Sequence, residues 1–147
     1  MNTSIAVLLE RKGSAVFAVP PTITASAAVQ EMNRRKVGSV LIMEGERLLG
    51  IFTERDVLSR VVAADLDPKV HSVAEVMTAN VLTVTPKATV EEVMALFDQH
   101  HCRHLPVVDG ARVVGLISIG DISRWVADVS RHEAEQLKQY IAGGFPT

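Results

Sequence analysis

The chain of 147 residues is poor in aromatic side chains, in cysteine and in long apolar runs. Aromatic residues make up only 4% of it, so a core must be built from aliphatic side chains. A single cysteine, Cys102, excludes an internal disulfide and a zinc site made of cysteines. The longest apolar stretch, residues 37–43, has the length of a strand and is far too short to span a membrane.

The chain also lacks a strong charge of either sign, with a formal net charge of −2 at pH 7. A chain with so little positive charge is a poor candidate for binding nucleic acid through bulk electrostatics. Its first residues, MNTSIAVLLERKG, have no basic stretch before the short apolar run, so we predict no signal peptide. We therefore expect a cytoplasmic protein that binds neither nucleic acid nor a membrane.

Two copies of one pattern occupy most of the sequence. When the sequence is shifted by 65 residues, residues 16–61 match the later part of the chain without a gap, and Gly50 meets Gly115 while Asp56 meets Asp121. Most of the other positions keep an apolar residue opposite an apolar residue. A gapless match of this kind indicates two copies of one supersecondary unit.

Each copy has the pattern of a β-α-β-β-α unit. A short extended segment stops at proline, a helix with one apolar face follows, and two strands are joined by a tight turn before a last helix. Thr89 and Glu92 have the spacing of a capping box, as do Ser72 and Glu75 in the linker. One copy has too small a sheet to bury both helices. We predict an α+β fold in which two copies share a core about a pseudo-two-fold axis.

The predicted domains are residues 1–66 for the first repeat with an N-terminal helix, residues 67–130 for the second repeat, and residues 131–147 for a helical extension. The N-terminal helix is expected to mirror the short linker helix. The extension carries Leu137 and Ile141 on a stripe that the rest of the chain does not cover. We therefore predict a homodimer in which a partner subunit covers this stripe, with folding back of the extension on its own chain as the alternative.

A hydroxyl residue followed three places later by aspartate ends the last strand of both copies, in GIFTERD and in GLISIGD. The structural alternative is that Thr53 with Asp56, and Ser118 with Asp121, only cap a helix. A capping box prefers the longer Glu or Gln, however, and a helix N-terminus beside a carboxylate suits the phosphate and ribose of a nucleotide. The preceding apolar residues, which we expect to wall a base, are Ile51, Phe52, Leu116 and Ile117.

With both motifs in register, residues 4–129 resemble a tandem pair of cystathionine-β-synthase (CBS) domains, the arrangement called a Bateman module. The resemblance implies a regulatory module that binds AMP, ADP or ATP, and in some members S-adenosylmethionine or NAD, in two clefts between the copies. It implies that Asp56 and Asp121 hold a ribose, with Thr53 and Ser118 near the ribose or phosphate. We call the two sites the Asp56 cleft and the Asp121 cleft.

The resemblance further implies that each cleft borrows residues from the opposite copy. The residues implied for the Asp56 cleft are Asn80, Val81, Arg103 and His104, and those for the Asp121 cleft are Ala15, Val16, Gly38 and Ser39. The basic residues Arg103 and His104 of the first set correspond in the repeat to the small residues Gly38 and Ser39 of the second set. We therefore expect the Asp56 cleft to hold phosphate more tightly, with help from Arg55.

The predicted function is energy sensing, in which a bound adenine nucleotide changes the shape of the module and its affinity for a regulated protein. Two further hypotheses are an NAD(H) sensor and an assembly protein with empty clefts. An enzyme is disfavoured because the sequence has no nucleophile–base pair, P-loop or metal motif. The histidine-rich stretch at residues 100–104 ends a helix, where basic residues oppose the dipole, so we predict phosphate contact there and no metal.

Overall fold

The computed structural model describes residues 3–13 and 15–142, which form two similar α+β units. Helix α1 (Ile5–Lys12) precedes the first unit. The elements of the first unit are β1 (Ala18–Val19), α2 (Ala25–Arg35), β2 (Ser39–Glu44), β3 (Arg47–Thr53), α3 (Glu54–Asp56) and a π-helix (Val57–Val62). Helix α4 (Val73–Val76) then precedes the second unit, whose elements are α5 (Val90–His100), β4 (His104–Asp109), β5 (Arg112–Ser118) and α6 (Ile119–Ala142).

The two hairpins have the same construction. Strand β2 is antiparallel to β3, and β4 is antiparallel to β5. A bulge interrupts the pairing after Ile42 in the first hairpin and after Val107, its counterpart 65 residues later, in the second. Gly45 and Gly110 have φ angles of 62° and 64° in the two turns, a left-handed conformation that glycine adopts without strain. The repeat predicted from the sequence is therefore present in the backbone.

The predicted first strand of the second copy is reduced to a single bridge. In the first copy β1 lies parallel to β2, and the Leu41 amide donates to the Phe17 carbonyl over 3.0 Å. The counterpart of Leu41 is Pro106, which has no amide hydrogen to donate. Only the isolated bridge between Val84 and Val107 remains there. The second sheet therefore has two strands where the first has three.

Side chains fix the helix starts as predicted, but one helix end differs. Thr89 and Glu92 form the expected capping box, with N–O distances of 3.3 and 3.1 Å. The last helix of the first copy does not stay α-helical: it becomes a π-helix after Asp56, in the sequence VLSRVV. Half of these residues are valine, whose branched side chain lowers helix propensity. Helix α6 is a continuous α-helix of 24 residues.

Each copy completes its core with the helix that precedes the other copy. Ile5, Leu8 and Leu9 of α1 are buried in the second core, whereas Val73 and Val76 of α4 are buried in the first. Backbone bridges hold both exchanged helices, from Ser4 to Thr89 and from Thr24 to Ser72. Helix α1 thus mirrors α4 as expected, while the residue boundaries given for the domains stay predictions.

The exchanged helices differ in length. Ser72 lies 68 residues after Ser4, three more than the spacing of 65 that relates the rest of the two copies. The three extra residues lengthen the N-terminal side, where α1 has eight residues against four in α4. After α4 the chain pairs Thr78 with Ile51 of β3, at N–O distances of 2.9 and 3.0 Å. Helix α1 instead continues to Lys12.

The two repeated glycines in the hairpins are expected to respond differently to replacement by alanine. A Cβ on Gly50 would lie 2.7 Å from the Thr78 carbonyl oxygen, which the backbone holds, whereas a Cβ on Gly115 would meet the Leu9 side chain at 2.6 Å. Overpacking costs about 1–3 kcal/mol. In urea unfolding, Gly50→Ala should show the larger loss of stability because Leu9 can change rotamer. A larger loss in Gly115→Ala would contradict this explanation.

Candidate functional site

The Thr53–Asp56 motif closes a capping box at the start of α3. The Asp56 side chain is buried, with 4% of its surface exposed. Its Oδ2 accepts from the Thr53 amide at 2.9 Å, and its own amide donates to Thr53 Oγ1 at 3.3 Å. Ser118 and Asp121 make the same pair of bonds at 2.8 and 3.2 Å. The expectation that aspartate is too short for this role is therefore wrong, and capping is one function of both motifs.

The second carboxylate oxygen of Asp56 faces the linker between the copies. Oδ1 accepts from Thr78 Oγ1 at 2.9 Å and lies 3.3 Å from Nε of Arg60, whose side chain is half exposed. The sequence-based prediction missed Thr78, two residues before Asn80. The signal available in the sequence was a hydroxyl residue at the end of the linker helix. The Asp56 carboxylate thus joins the cap of one copy to the chain leading into the other.

A cavity of about 490 Å³ opens beside this carboxylate. The first copy contributes the end of β3 and the start of α3, and the second copy contributes residues 100–104. The structure therefore brings six of the predicted residues together: Ile51, Thr53, Arg55, Asp56, Arg103 and His104. Three other predicted residues lie elsewhere. Phe52 is fully buried in the first core, and Asn80 and Val81 follow Thr78 without lining the cavity.

Basic groups from both copies meet at this cavity. The Arg55 guanidinium donates to the carbonyl oxygen of His101 and so connects α3 to the end of α5. Arg103 is exposed at the start of β4. Burial lowers the pKa of His104, as does the positive charge of Lys12, so this imidazole favours its neutral form. The positive charge at this cavity therefore comes mainly from the two arginines.

Cys102 also lines the cavity and is half buried. Burial raises the pKa of its thiol, which keeps the sulfur protonated. A thiol in this state suits a packing role.

Among the described residues no group of three or more His, Cys, Asp or Glu is arranged to hold a metal ion. No helix in the described part of the chain is long and apolar enough to cross a membrane.

The Asp121 cleft is smaller and differently occupied. Its cavity is about 180 Å³ and lies between α1 and α6. Asp121 is 7% exposed, and its Oδ2 lies 2.6 Å from Lys12 Nζ while its Oδ1 lies 2.5 Å from a guanidinium nitrogen of Arg124. Burial raises the pKa of Asp121, but hydrogen bonds from Lys12 and Ser118 outweigh burial and leave it lowered. The carboxylate is therefore held in its charged form.

Most of the other residues expected at the Asp121 cleft lie away from this cavity. Ser39 is buried and pairs with Thr53, while Gly38 lies beside Glu54 and His104. The Leu116 carbonyl accepts a hydrogen bond from Lys12. Ile117 is fully buried in the second core, and neither Ala15 nor Val16 lines the cavity. Lys12 was not predicted, because no counterpart of it exists on the linker side.

The chain belongs to the CBS domain family. The family model matches twice, over residues 13–63 and residues 73–128, which confirms the tandem repeat. The CBS domain-containing protein CBSX3, mitochondrial, of Arabidopsis thaliana is 35% identical over 123 residues, which cover 80% of this chain and 60% of the plant protein. The chain thus spans about three fifths of that relative.

Solved structures support the same fold. One CBS domain crystal structure has 37% identity and a TM-score of 0.82, covering 85% of this chain and 98% of its own. A CBS domain protein from Pyrobaculum aerophilum, complexed with AMP, has 26% identity and a TM-score of 0.72, with 81% and 89% covered. Hypoxic Response Protein I, with two coordinated zinc ions, has 28% identity and a TM-score of 0.70, with 83% and 98% covered.

A hexameric CBS-CP12 protein from bloom-forming cyanobacteria is also similar, with 25% identity and a TM-score of 0.75 over 100% of this chain and 87% of its own. The matched proteins are CBS domain proteins, a regulatory class. The class of this chain is thereby established as a tandem CBS module.

The lowered pKa of His104 predicts a pH dependence of stability. Its ordinary value is 6.5, so below about pH 6.5 the unfolded chain binds more protons than the folded chain. The free energy of unfolding should fall with acidification from pH 7.5 to 5.5, by at most about 1.4 kcal/mol per pH unit from this group. Asp121 adds nothing in that range, because its contribution is lost only below its ordinary value of 3.8.

Urea unfolding at several pH values tests the assignment. His104→Gln should flatten the dependence, whereas His132→Gln, a control on the exposed part of α6, should keep it. Equal slopes in the wild type and His104→Gln would show that His104 is not the responsible group.

Proposed function

We propose that the module binds an adenine nucleotide in the Asp56 cleft and transmits its binding to a regulated protein. The observation that carries the proposal is the 490 Å³ cavity, in which a buried carboxylate, a helix N-terminus and two arginines from opposite copies converge. The AMP complex of the Pyrobaculum aerophilum protein supports this choice of ligand. A binding role, rather than catalysis, fits the regulatory class of the matched proteins.

The chemistry of the cleft suits each part of a nucleotide. Asp56 can accept the ribose hydroxyls at Oδ1, whose partners in the structure are the neutral hydroxyl of Thr78 at 2.9 Å and the half-exposed Arg60 at 3.3 Å. Arg55 and Arg103 supply charge for the phosphate beside the N-terminus of α3, and Ile51 supplies an apolar wall for the base. Each contact involves a group on the surface of the cavity.

NAD(H) is the second candidate ligand, and the surface beside the cleft has room for its second nucleotide half. A groove of about 680 Å³ between α5 and α6 adjoins the Asp56 cleft and shares Arg55, His101, Cys102 and Arg103 with it. The groove also presents Met94 and Ile119, which are 41% and 45% exposed and against which a second ring system can pack. Titration of NADH into protein saturated with AMP distinguishes the candidates, because competition requires that the two ligands share the cleft.

Asp56→Asn tests the proposed site. Asparagine can still accept from the Thr53 amide through its one oxygen and can donate to Thr78 Oγ1 through its amide group, so the fold should be retained. It has one acceptor oxygen, so one charge-assisted bond to the ribose is lost, which is worth about 1.5–3 kcal/mol or roughly ten- to a hundredfold in affinity. Calorimetric titration of AMP should show this loss, and 2′-deoxy-AMP should bind the wild type more weakly than AMP does.

The matched control is Asp109→Asn, at the exposed end of β4, which should bind AMP like the wild type. GMP should bind the wild type more weakly than AMP if the base is recognised. If the wild type shows no heat of binding and no change in melting temperature with millimolar AMP, ATP or NADH, the module is an assembly protein with empty clefts.

We also propose that the chain acts as a homo-oligomer in the cytoplasm, with the C-terminal extension as a contact. Every residue from 131 to 142 is exposed, including Leu137 at 59% and Ile141 at 58%. A relative of the same fold is hexameric, which supports oligomerisation. The regulated protein is a separate partner in this proposal.

Deletion of residues 131–147 should weaken self-association without unfolding the module, because the described part of that segment is exposed and lies outside both cores. Sedimentation velocity over a concentration series measures the change, and circular dichroism checks the fold. Leu137→Glu should have the same effect as the deletion, whereas Glu135→Gln should not. An unchanged association constant in the deletion variant would remove the extension from the interface.

A further inference from the structure

The Asp121 carboxylate is occupied by a cation from the chain itself. Lys12 Nζ donates to Asp121 Oδ2 over 2.6 Å and to the Leu116 carbonyl oxygen over 2.5 Å. Both acceptors belong to the second of the two motifs, GLISIGD. The Lys12 side chain is 32% exposed, and Asp121 is buried, so the pair is shielded from water more than a surface ion pair. In the first copy the chain that follows the exchanged helix brings only the neutral hydroxyl of Thr78 to the Asp56 carboxylate, at Oδ1.

Helix α1 holds Lys12 at this position. Leu9, one turn earlier, is buried against Gly115, where an added Cβ would lie 2.6 Å from the leucine. Arg11 lies 5.0 Å above the Trp125 ring and 3.3 Å from Asp128 of α6. The last turn of α1, which ends at Lys12, is therefore held by packing of Leu9 and by the contacts of Arg11. The additional length of α1 relative to α4 is what carries an ammonium group to the carboxylate.

We propose that Lys12 is a built-in occupant of the Asp121 cleft, so that the module binds one nucleotide per chain, in the Asp56 cleft. This inference rests on the proposed function. Each aspartate has an exposed arginine beside Oδ1, Arg60 at Asp56 and Arg124 at Asp121, so the less exposed Lys12 is the cation that distinguishes the two clefts. A ribose at Asp121 would have to displace this ammonium from a buried carboxylate, and hydroxyl groups do not replace its charge. The loss of one charge-assisted bond corresponds to roughly ten- to a hundredfold in affinity.

Removal of the ammonium should open the second site. Lys12→Met keeps the apolar length of the side chain, and calorimetric titration of AMP should then give two sites per chain where the wild type gives one. In the Asp56→Asn background, where the remaining affinity is low, Lys12→Met should restore one strong site. Adding Asp121→Asn to that double variant should abolish the restored site. Lys87→Met, at an exposed position that lines neither cleft, should leave the wild-type titration unchanged.

Several results would overturn the inference. Two strong sites in the wild type would do so, as would a Lys12→Met variant with a single site. Weaker binding in Lys12→Met would show instead that Lys12 is a phosphate ligand. If Lys12→Met fails to fold, Lys12→Gln provides the same removal of charge with a polar side chain, and the number of sites in the wild type remains decisive.

Failure of the proposed function is distinguishable from failure of this inference. If the wild type binds no AMP, the proposal for the Asp56 cleft fails. A site that Lys12→Met then gains and Asp121→Asn removes would still support the role of Lys12, and the absence of any gained site would overturn it.

Discussion

The exchange of helices between the two cores is the constraint on which the rest of the structure depends. Neither small sheet has enough helix from its own copy to cover it, and α1 and α4 supply the missing apolar surface from the opposite side. Burial of Val73 in the first core therefore also fixes where the chain emerges from α4. It emerges at the Asp56 carboxylate, through Thr78. The segment from Val73 to Thr78 thus contributes both to the first core and to the cleft.

The same exchange makes the clefts unequal although their motifs are equal. Both aspartates are buried, close a capping box and have an arginine on the following helical turn. The difference arises at the C-terminal ends of the exchanged helices. Thr78, two residues after α4, brings a neutral hydroxyl to Asp56, whereas Lys12, the last residue of α1, brings an ammonium to Asp121. On the proposal for Lys12, three additional residues outside the repeated unit therefore give the two clefts different roles, with both motifs intact.

The order of elements and the location of the motifs could be predicted from the sequence, because they depend on local spacing. Apolar periodicity indicated α5, and the spacing of Thr89 and Glu92 indicated its start. The contacts of Thr78 and Lys12 could not be predicted, because the shift of 65 that reveals the repeat does not relate these segments to each other. Pro106 could be read from the sequence. That it shortens the second sheet could not, because this depends on the hydrogen bond that the Leu41 amide makes to Phe17 in the first copy.

Capping and ligand binding are compatible functions of the same aspartate, because they use different oxygens. Oδ2 of Asp56 accepts from the Thr53 amide, which a ligand need not disturb, whereas Oδ1 accepts from Thr78. A ribose hydroxyl at Oδ1 competes with a residue that is itself paired with Ile51 of β3. On the proposed function, occupancy of the cleft thus changes the hydrogen bonding of the segment that joins the copies. On this proposal nucleotide binding can change the conformation of the module without a network of distant contacts, because the linker residue Thr78 is already hydrogen-bonded to the carboxylate that binds the nucleotide.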